Sequence, residues 1–197
     1  HLMAMRTIPN LAVVRPADAA EAAEAWRFAL ERNRGPTGLV LTRQKVPTID
    51  RSMFGSAKGL HRGAYVLAET NLSKKIDVIL IATGSEISLA LSARERLEKE
   101  GIATRVVSMP CMEAFAEQSV EYRHSVLPKE VTARISIEAG ITKGWERWIG
   151  DHGVSIGVDT YGASAPDKTL FDRYGLTVDN IVEHAHKQQA GERLAHV

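Results

Sequence analysis

Cysteine is almost absent from this chain: Cys111 is the only one in 197 residues, so no internal disulfide can form and a reducing compartment is indicated. The expected setting is therefore the cytoplasm. Charge of one sign is missing too, because 25 basic and 24 acidic residues leave a formal net charge of +1. A nucleic acid or an acidic membrane needs a field of one sign, so neither is expected as a partner. The 7 histidines could add charge only in acid. No apolar run approaches the roughly 18–20 residues that cross a bilayer. The opening HLMAMRTIPN does not read as a signal peptide. Internal repeats and low-complexity tracts are lacking, and so are a Ser/His/Asp set and any metal-ligand spacing. What remains, 44% hydrophobic and 25% charged, is ordinary for a globular chain.

The most informative stretch is IDVILIATGSEISLALSARERLEKEG, residues 76–101. Its apolar run (Ile76, Val78, Ile79, Leu80, Ile81) is rich in β-branched residues and suits both faces of a central parallel strand. Thr83-Gly84-Ser85 then reads as a tight turn, with Ser85 expected to cap a helix. Ile87, Ala90, Leu91 and Leu97 repeat near a 3.6-residue period, and Glu95 and Lys99 form an i,i+4 pair on the outer face. Gly101 is placed to end the helix in a left-handed conformation.

Upstream, a helical tail over residues 2–6 is expected, then a strand over 11–15. Asp18 with Glu21 reads as a capping box opening a helix over about 19–32. That helix should bury Trp26, Ala29 and Leu30 and leave Glu24, Arg27 and Glu31 outside. A strand over 38–42 completes a βαβ unit too small to bury a core alone. Residues 44–62, with Pro47, Gly55 and Gly59, hold the expected domain boundary. Beyond them come an edge strand at 64–68, the 76–101 unit, and strands at 104–108, 132–138 and 154–158. Helices are expected over 111–118, 119–126, 143–149, 167–174 and 178–189. This alternation predicts a three-layer α/β/α domain with a mostly parallel sheet, preceded by the partial βαβ unit.

Several residues invite a functional reading beside a plainer one. Arg43 lies just past the carboxyl end of an expected parallel strand, where ligands bind in such folds, and its guanidinium could hold phosphate or carboxylate in a fork. A merely solvated arginine is the plainer reading. The Thr83-Gly84-Ser85 turn could hold an anion, though a capped structural helix is the simpler account. Glu138 ends a strand, and Asp151 and His152 share a turn; an acid and a histidine could move protons, but their adjacency places them on no common substrate. His184 and His186, two apart on a helix, face different ways and make a poor metal pair. Cys111 at a helix start could have a lowered thiol pKa, with small buried filler as the default. Alone, these sites name no reaction.

Taken together, IPNLAVVRPADAAEAAEAW, PTGLVLTRQKVP, GAYVLAE, DVILIATGSEISLAL and TRVVSMPCMEAF, followed by YRHSVLPKEVTARISIEAG, GDHG, YGASAP and LFDRYGLTVDNIV, keep their order over nearly the full length. The chain so read resembles the C-terminal part of a transketolase. ATGSE with RVVSMP and VLPKEVTARISIEAG are the most specific segments.

The resemblance implies that residues 1–50 are the end of a pyrimidine-binding domain, 51–62 a linker and 63–197 the C-terminal domain. His1-Leu2 would follow a histidine-bearing active-site segment, so a start inside a longer protein, by truncation or proteolysis, is expected. The implied reaction moves a two-carbon ketol unit from a ketose phosphate to an aldose phosphate in the pentose phosphate pathway. The intact enzyme would use thiamine diphosphate and a divalent cation, Mg or Ca, as a homodimer. The diphosphate and metal motif, the activating glutamate and the substrate histidines all lie outside this chain. It is therefore expected to carry no catalytic, cofactor or metal residue, to bind no cofactor and to be inactive alone. Arg43 matches the family arginine that binds the sugar phosphate, while Lys45 departs from the usual asparagine. The alternatives are a non-catalytic binding or dimerisation module, using the Gly84-Ser85 turn or a surface around Trp145 and Trp148, and the C-terminal subunit of a split enzyme.

Overall fold

The computed structural model describes residues 1–70 and 75–191. At its centre is β4, Val78–Ala82, in which all five residues are buried. β4 lies between β5 (Thr104–Ser108) and β6 (Arg134–Ile137), parallel to both. β7 (Val154–Ile156) continues the sheet in parallel beyond β6. β3 (Tyr65–Glu69) closes the other edge antiparallel to β5, giving the order β3-β5-β4-β6-β7.

Strand alternation sorts the core into two layers. Val78, Leu80 and Ala82 face α3 (Ile87–Lys99) and α8 (Val178–Gln189), packing with Ala90, Leu97 and Ile181. Ile79 and Ile81 face the other way, onto Phe115 of α4 (Met112–Ala116), Val126 of α5 (Val120–Val126) and Trp148 of α6 (Glu146–Ile149). Helices therefore cover both faces of a mostly parallel sheet, as the alternating pattern predicts. Each fully buried aliphatic side chain contributes about 1.5–3 kcal/mol. α7 (Asp167–Arg173), with Phe171 packed against the first layer, precedes α8.

α3 ends as expected: Gly101 has φ +82, and the Ile102 N–H returns to the Leu97 carbonyl at 3.0 Å. Its start differs from expectation. A single 3₁₀ turn over Gly84–Glu86 precedes the helix, and Ser85 caps nothing. Its hydroxyl instead donates to Glu86 Oε1 at 2.6 Å, because the 3₁₀ turn carries Ser85 past the cap position.

The first part of the chain is slighter. α1 (Leu2–Arg6) leads to β1 (Ala12–Val14), α2 (Ala19–Glu31) and β2 (Thr37–Leu39), and the two strands form their own parallel pair. A small core of Ala12, Val14 and Ala25 meets Leu60, Cys111 and Ala114. α2 corrects the expected packing. Trp26 is 57% and Leu30 83% exposed, Ala29 is half-buried, and the buried residues are Glu21 and Ala25. Two three-residue strands are too narrow to cover the apolar stripe of a 13-residue helix. The link to β3 contains a 3₁₀ helix, Ala57–Arg62, whose Leu60 is fully buried.

Candidate functional site

Arg43 sits on a strap without regular structure that runs from the end of β2 to Ile49. At the near end the Val40 N–H bonds to the Val14 carbonyl at 2.9 Å, prolonging the β1–β2 pairing. At the far end Asp18, buried as the N-cap of α2, holds three donors. Its Oδ1 accepts from the Glu21 N–H at 2.8 Å and Arg51 Nη2 at 2.9 Å, and its Oδ2 from the Ile49 N–H at 3.0 Å. Arg43 is exposed between these anchors. Under the strap lie two clefts of about 230 and 380 Å³ that share Val46, Pro47, Ser85 and Ser88. Lys45 and Lys168 border the larger one, opposed by Asp167 and Asp172.

A second assembly lies at the carboxyl edge of the five-stranded sheet. The chain leaves β4 for β5 on one side and returns to β6 on the other, so β4 and β6 flank the topological switch point. Each is followed by a buried glutamate, Glu86 after β4 and Glu138 directly after β6. Residues of the first segment neutralise both. Arg6 Nη1 and Nη2 each donate to Glu138 at 2.7 Å, to Oε2 and Oε1 respectively. Arg15 Nη1 donates to Glu86 Oε2 and, at 3.2 Å, to the Thr83 carbonyl, and lies 3.6 Å from Glu138 Oε1. The Trp145 indole N–H donates to Glu138 Oε2 at 3.1 Å, and the Ala139 N–H to Glu86 Oε2 at 3.0 Å. Burial works to lower the Arg15 pKa, but Glu86 and Glu138 outweigh it and hold the pKa above the usual arginine value.

These contacts decide the role of the Thr83-Gly84-Ser85 turn. It meets a cation rather than an anion: the Gly84 N–H binds the Arg15 carbonyl at 3.1 Å, and a Cβ on Gly84 would come within 2.9 Å of the Arg15 guanidinium carbon. With φ at +60, the position requires glycine on both counts.

A third cluster surrounds Glu21. Its carboxylate does not return to the cap residue as in a capping box; Oε2 accepts from the Ala17 N–H at 2.8 Å. Oε1 takes the Tyr65 hydroxyl at 2.6 Å and the Ser108 hydroxyl at 2.7 Å, both from the five-stranded unit. Burial pushes the Glu21 pKa up despite these bonds. Tyr65 is also raised, first by its own burial and then by Glu21.

The remaining candidates separate. Glu138 joins the arginines, while Asp151 and His152 stay exposed. His186 Nε2 lies 2.7 Å from Glu100, whereas His184 is half-buried with its pKa pushed down by desolvation. Cys111 is buried, and its thiol is pushed up to about 12 by burial and then by Glu113, so it is no thiolate nucleophile. Trp145 and Trp148 are buried in the core. Among the described residues no group of three or more His, Cys, Asp or Glu is placed to hold a metal ion. Sequence reasoning passed over Arg6, Arg15 and Glu86. The only available signal was topological, namely positions just past strand ends on both sides of a switch point.

Family models match the two parts of the chain separately. Residues 1–48 match a transketolase pyrimidine binding domain, and residues 63–177 a transketolase-like C-terminal domain. The chain belongs to the transketolase family. A transketolase of Aquifex aeolicus is 53% identical over 181 residues, which is 92% of this chain and 26% of that protein. A transketolase of Pichia stipitis, solved with sedoheptulose 7-phosphate, superposes with a TM-score of 0.87 at 36% identity and covers 96% of this chain and 27% of its own. A split-gene transketolase described as an inactive β4 tetramer superposes at 0.78 with 27% identity, covering 98% of this chain and 62% of its own. The chain thus spans about a quarter of the length of the curated transketolases it matches.

Proposed function

We propose that this chain is the C-terminal portion of a transketolase that, when complete, transfers a two-carbon ketol unit from a ketose phosphate to an aldose phosphate. The observation that carries this reading is the 53% identity to a transketolase over 92% of the chain. Thiamine diphosphate, when bound by the complete enzyme, supplies the carbanion-stabilising chemistry. On this reading the chain alone is inactive in ketol transfer, because it spans only about a quarter of such an enzyme. The single cysteine favours the cytoplasm, and the sugar phosphates belong to the pentose phosphate pathway.

Within this reading Arg43 binds the distal phosphate of the sugar. Two parallel N–H···O bonds from a guanidinium fix a phosphate by orientation as well as charge. The contact is remote from the reacting carbons and is made equally in ground and transition states, so its loss weakens binding more than turnover. Arg43→Ala in the complete enzyme is expected to raise KM for phosphorylated sugars at least tenfold while changing kcat less than threefold, as read from steady-state ketol-transfer assays. A large fall in kcat at unchanged KM would refute this role for Arg43.

A second reading is a non-catalytic assembly module or the C-terminal subunit of a split enzyme, pairing as a homodimer or higher oligomer. The similarity to an inactive split-gene β4 tetramer supports it. Sedimentation of the purified chain separates the readings: a stable tetramer favours the split subunit, and a monomer counts against it.

A further inference from the structure

We propose that the switch-point crevice of the five-stranded sheet is a guanidinium-binding site, with Glu86 and Glu138 as receptor groups and Arg6 and Arg15 as ligands supplied by the chain itself. Doubly wound sheets hold their ligands outside the carboxyl ends of the strands at the point where the winding reverses. Here that point lies between β4 and β6, and two guanidinium groups from residues 6 and 15 fill it.

The receptor is oriented by groups of the five-stranded unit. The Trp145 indole N–H fixes Glu138 at 3.1 Å, and the Ala139 N–H and Ser85 hydroxyl fix Glu86 at 3.0 and 2.6 Å. The two carboxylates therefore have their orienting bonds whether or not an arginine is present.

The geometry also defines what is recognised. Glu138 takes Arg6 end-on through its two terminal nitrogens, each at 2.7 Å, a fork that an ammonium group cannot reproduce. The Arg6 side chain is 3% exposed, yet its Nε has no hydrogen-bond partner among the described residues. The site thus reads only the terminal pair of nitrogens, which a small free guanidinium carries equally well. No residue of α1 is fully buried; Met3 packs against the second apolar layer, and Arg6 adds the ion pair to Glu138.

Removing the Arg6 side chain should open half of this site to a free ligand. Methylguanidinium chloride, titrated at millimolar concentrations into Arg6→Ala in the full chain, is expected to raise the thermal midpoint saturably, by about 3–6 °C at tenfold excess over Kd. Equal concentrations of methylammonium chloride should give no such rise, and neither should methylguanidinium with wild type or with Arg6→Ala/Glu138→Gln. No saturable rise in Arg6→Ala, or an equal one with methylammonium or in the double variant, would overturn the proposal. If Arg6→Ala does not fold, Arg6→Lys keeps the charge without the fork. Its thermal midpoint should then fall well below that of wild type, and a wild-type midpoint would overturn the proposal.

Discussion

Among the described residues, the first 53 leave Ile8, Trp26, Leu30, Leu41 and Met53 exposed, whereas the much longer remainder leaves only Val120 and Tyr161. Both regions are built from parallel strands crossed by helices, yet they are held together differently. The five-stranded unit stacks two apolar layers on a central strand buried on both sides. The first segment has two three-residue strands and a small apolar core shared with α4 and the 3₁₀ helix. Beside the apolar contacts of Met3, Ala17 and Ile49 with the two layers, polar bonds attach it: Glu21 to Tyr65 and Ser108, Arg6 to Glu138, and Arg15 to Glu86. Hydrophobic burial is non-directional and suffices for a wide sheet. A narrow segment depends instead on a few bonds whose geometry fixes its place.

Core truncations should show the largest contrast. Leu80→Ala, at the centre of β4, is expected to cost about 2–5 kcal/mol in urea unfolding. Trp26→Ala removes a larger side chain that is mostly exposed and should stay within about 0.5 kcal/mol. Comparable losses would mean that Trp26 is covered, most simply by self-association, and the contrast would fail.

Of similar order is Glu138→Ala, which strands the buried Arg6 guanidinium and the Trp145 indole N–H. About 3–5 kcal/mol should be lost, because removing one partner leaves an uncompensated buried charge. A loss below 1 kcal/mol would show that water reaches the crevice.

Glu21 sharpens the comparison through pH. Its folded pKa is raised above the usual glutamate value, so between the two values the folded chain binds more protons than the unfolded one. The stability it contributes is therefore complete below about pH 4 and declines as pH rises through the raised pKa, with a slope of up to about 1.4 kcal/mol per pH unit. Glu21→Gln should flatten that part of the stability–pH curve. An unchanged curve would show that the carboxyl titrates normally and that the seam is wet.

Two glycines provide the smallest test. Gly84 and Gly101 both have positive φ, but a Cβ at Gly101 would meet nothing within 4 Å, whereas at Gly84 it would meet Arg15 at 2.9 Å. Gly101→Ala should cost about 1 kcal/mol for conformation alone, and Gly84→Ala measurably more. Equal costs would mean that Arg15 yields without penalty.

Much of the five-stranded unit was legible because its period matches its environment. The continuous apolar run at 78–82 could only be a strand covered on both faces, and the periodic residues after it could only be its crossover helix. Trp26 and Leu30 were misread because helical periodicity identifies an apolar stripe without showing whether the sheet beneath is wide enough to cover it. Ser85 was misread as a cap because hydroxyl type alone does not reveal an intervening 3₁₀ turn. Arg6, Arg15 and Glu86 were invisible as a group because they lie up to 80 positions apart and meet only when strand order is known. Arg43 stands out by its place just past a strand end, and the resemblance alone gives it a sugar phosphate as ligand.

The most direct test of the central claim, that the first segment is held in place by polar contacts to an independently packed sheet, is hydrogen exchange by peptide in wild type and Glu138→Gln. Exchange should accelerate in peptides covering residues 1–39 while those covering β4 and β5 keep their wild-type protection. Equal acceleration in both regions, or in neither, would contradict the account.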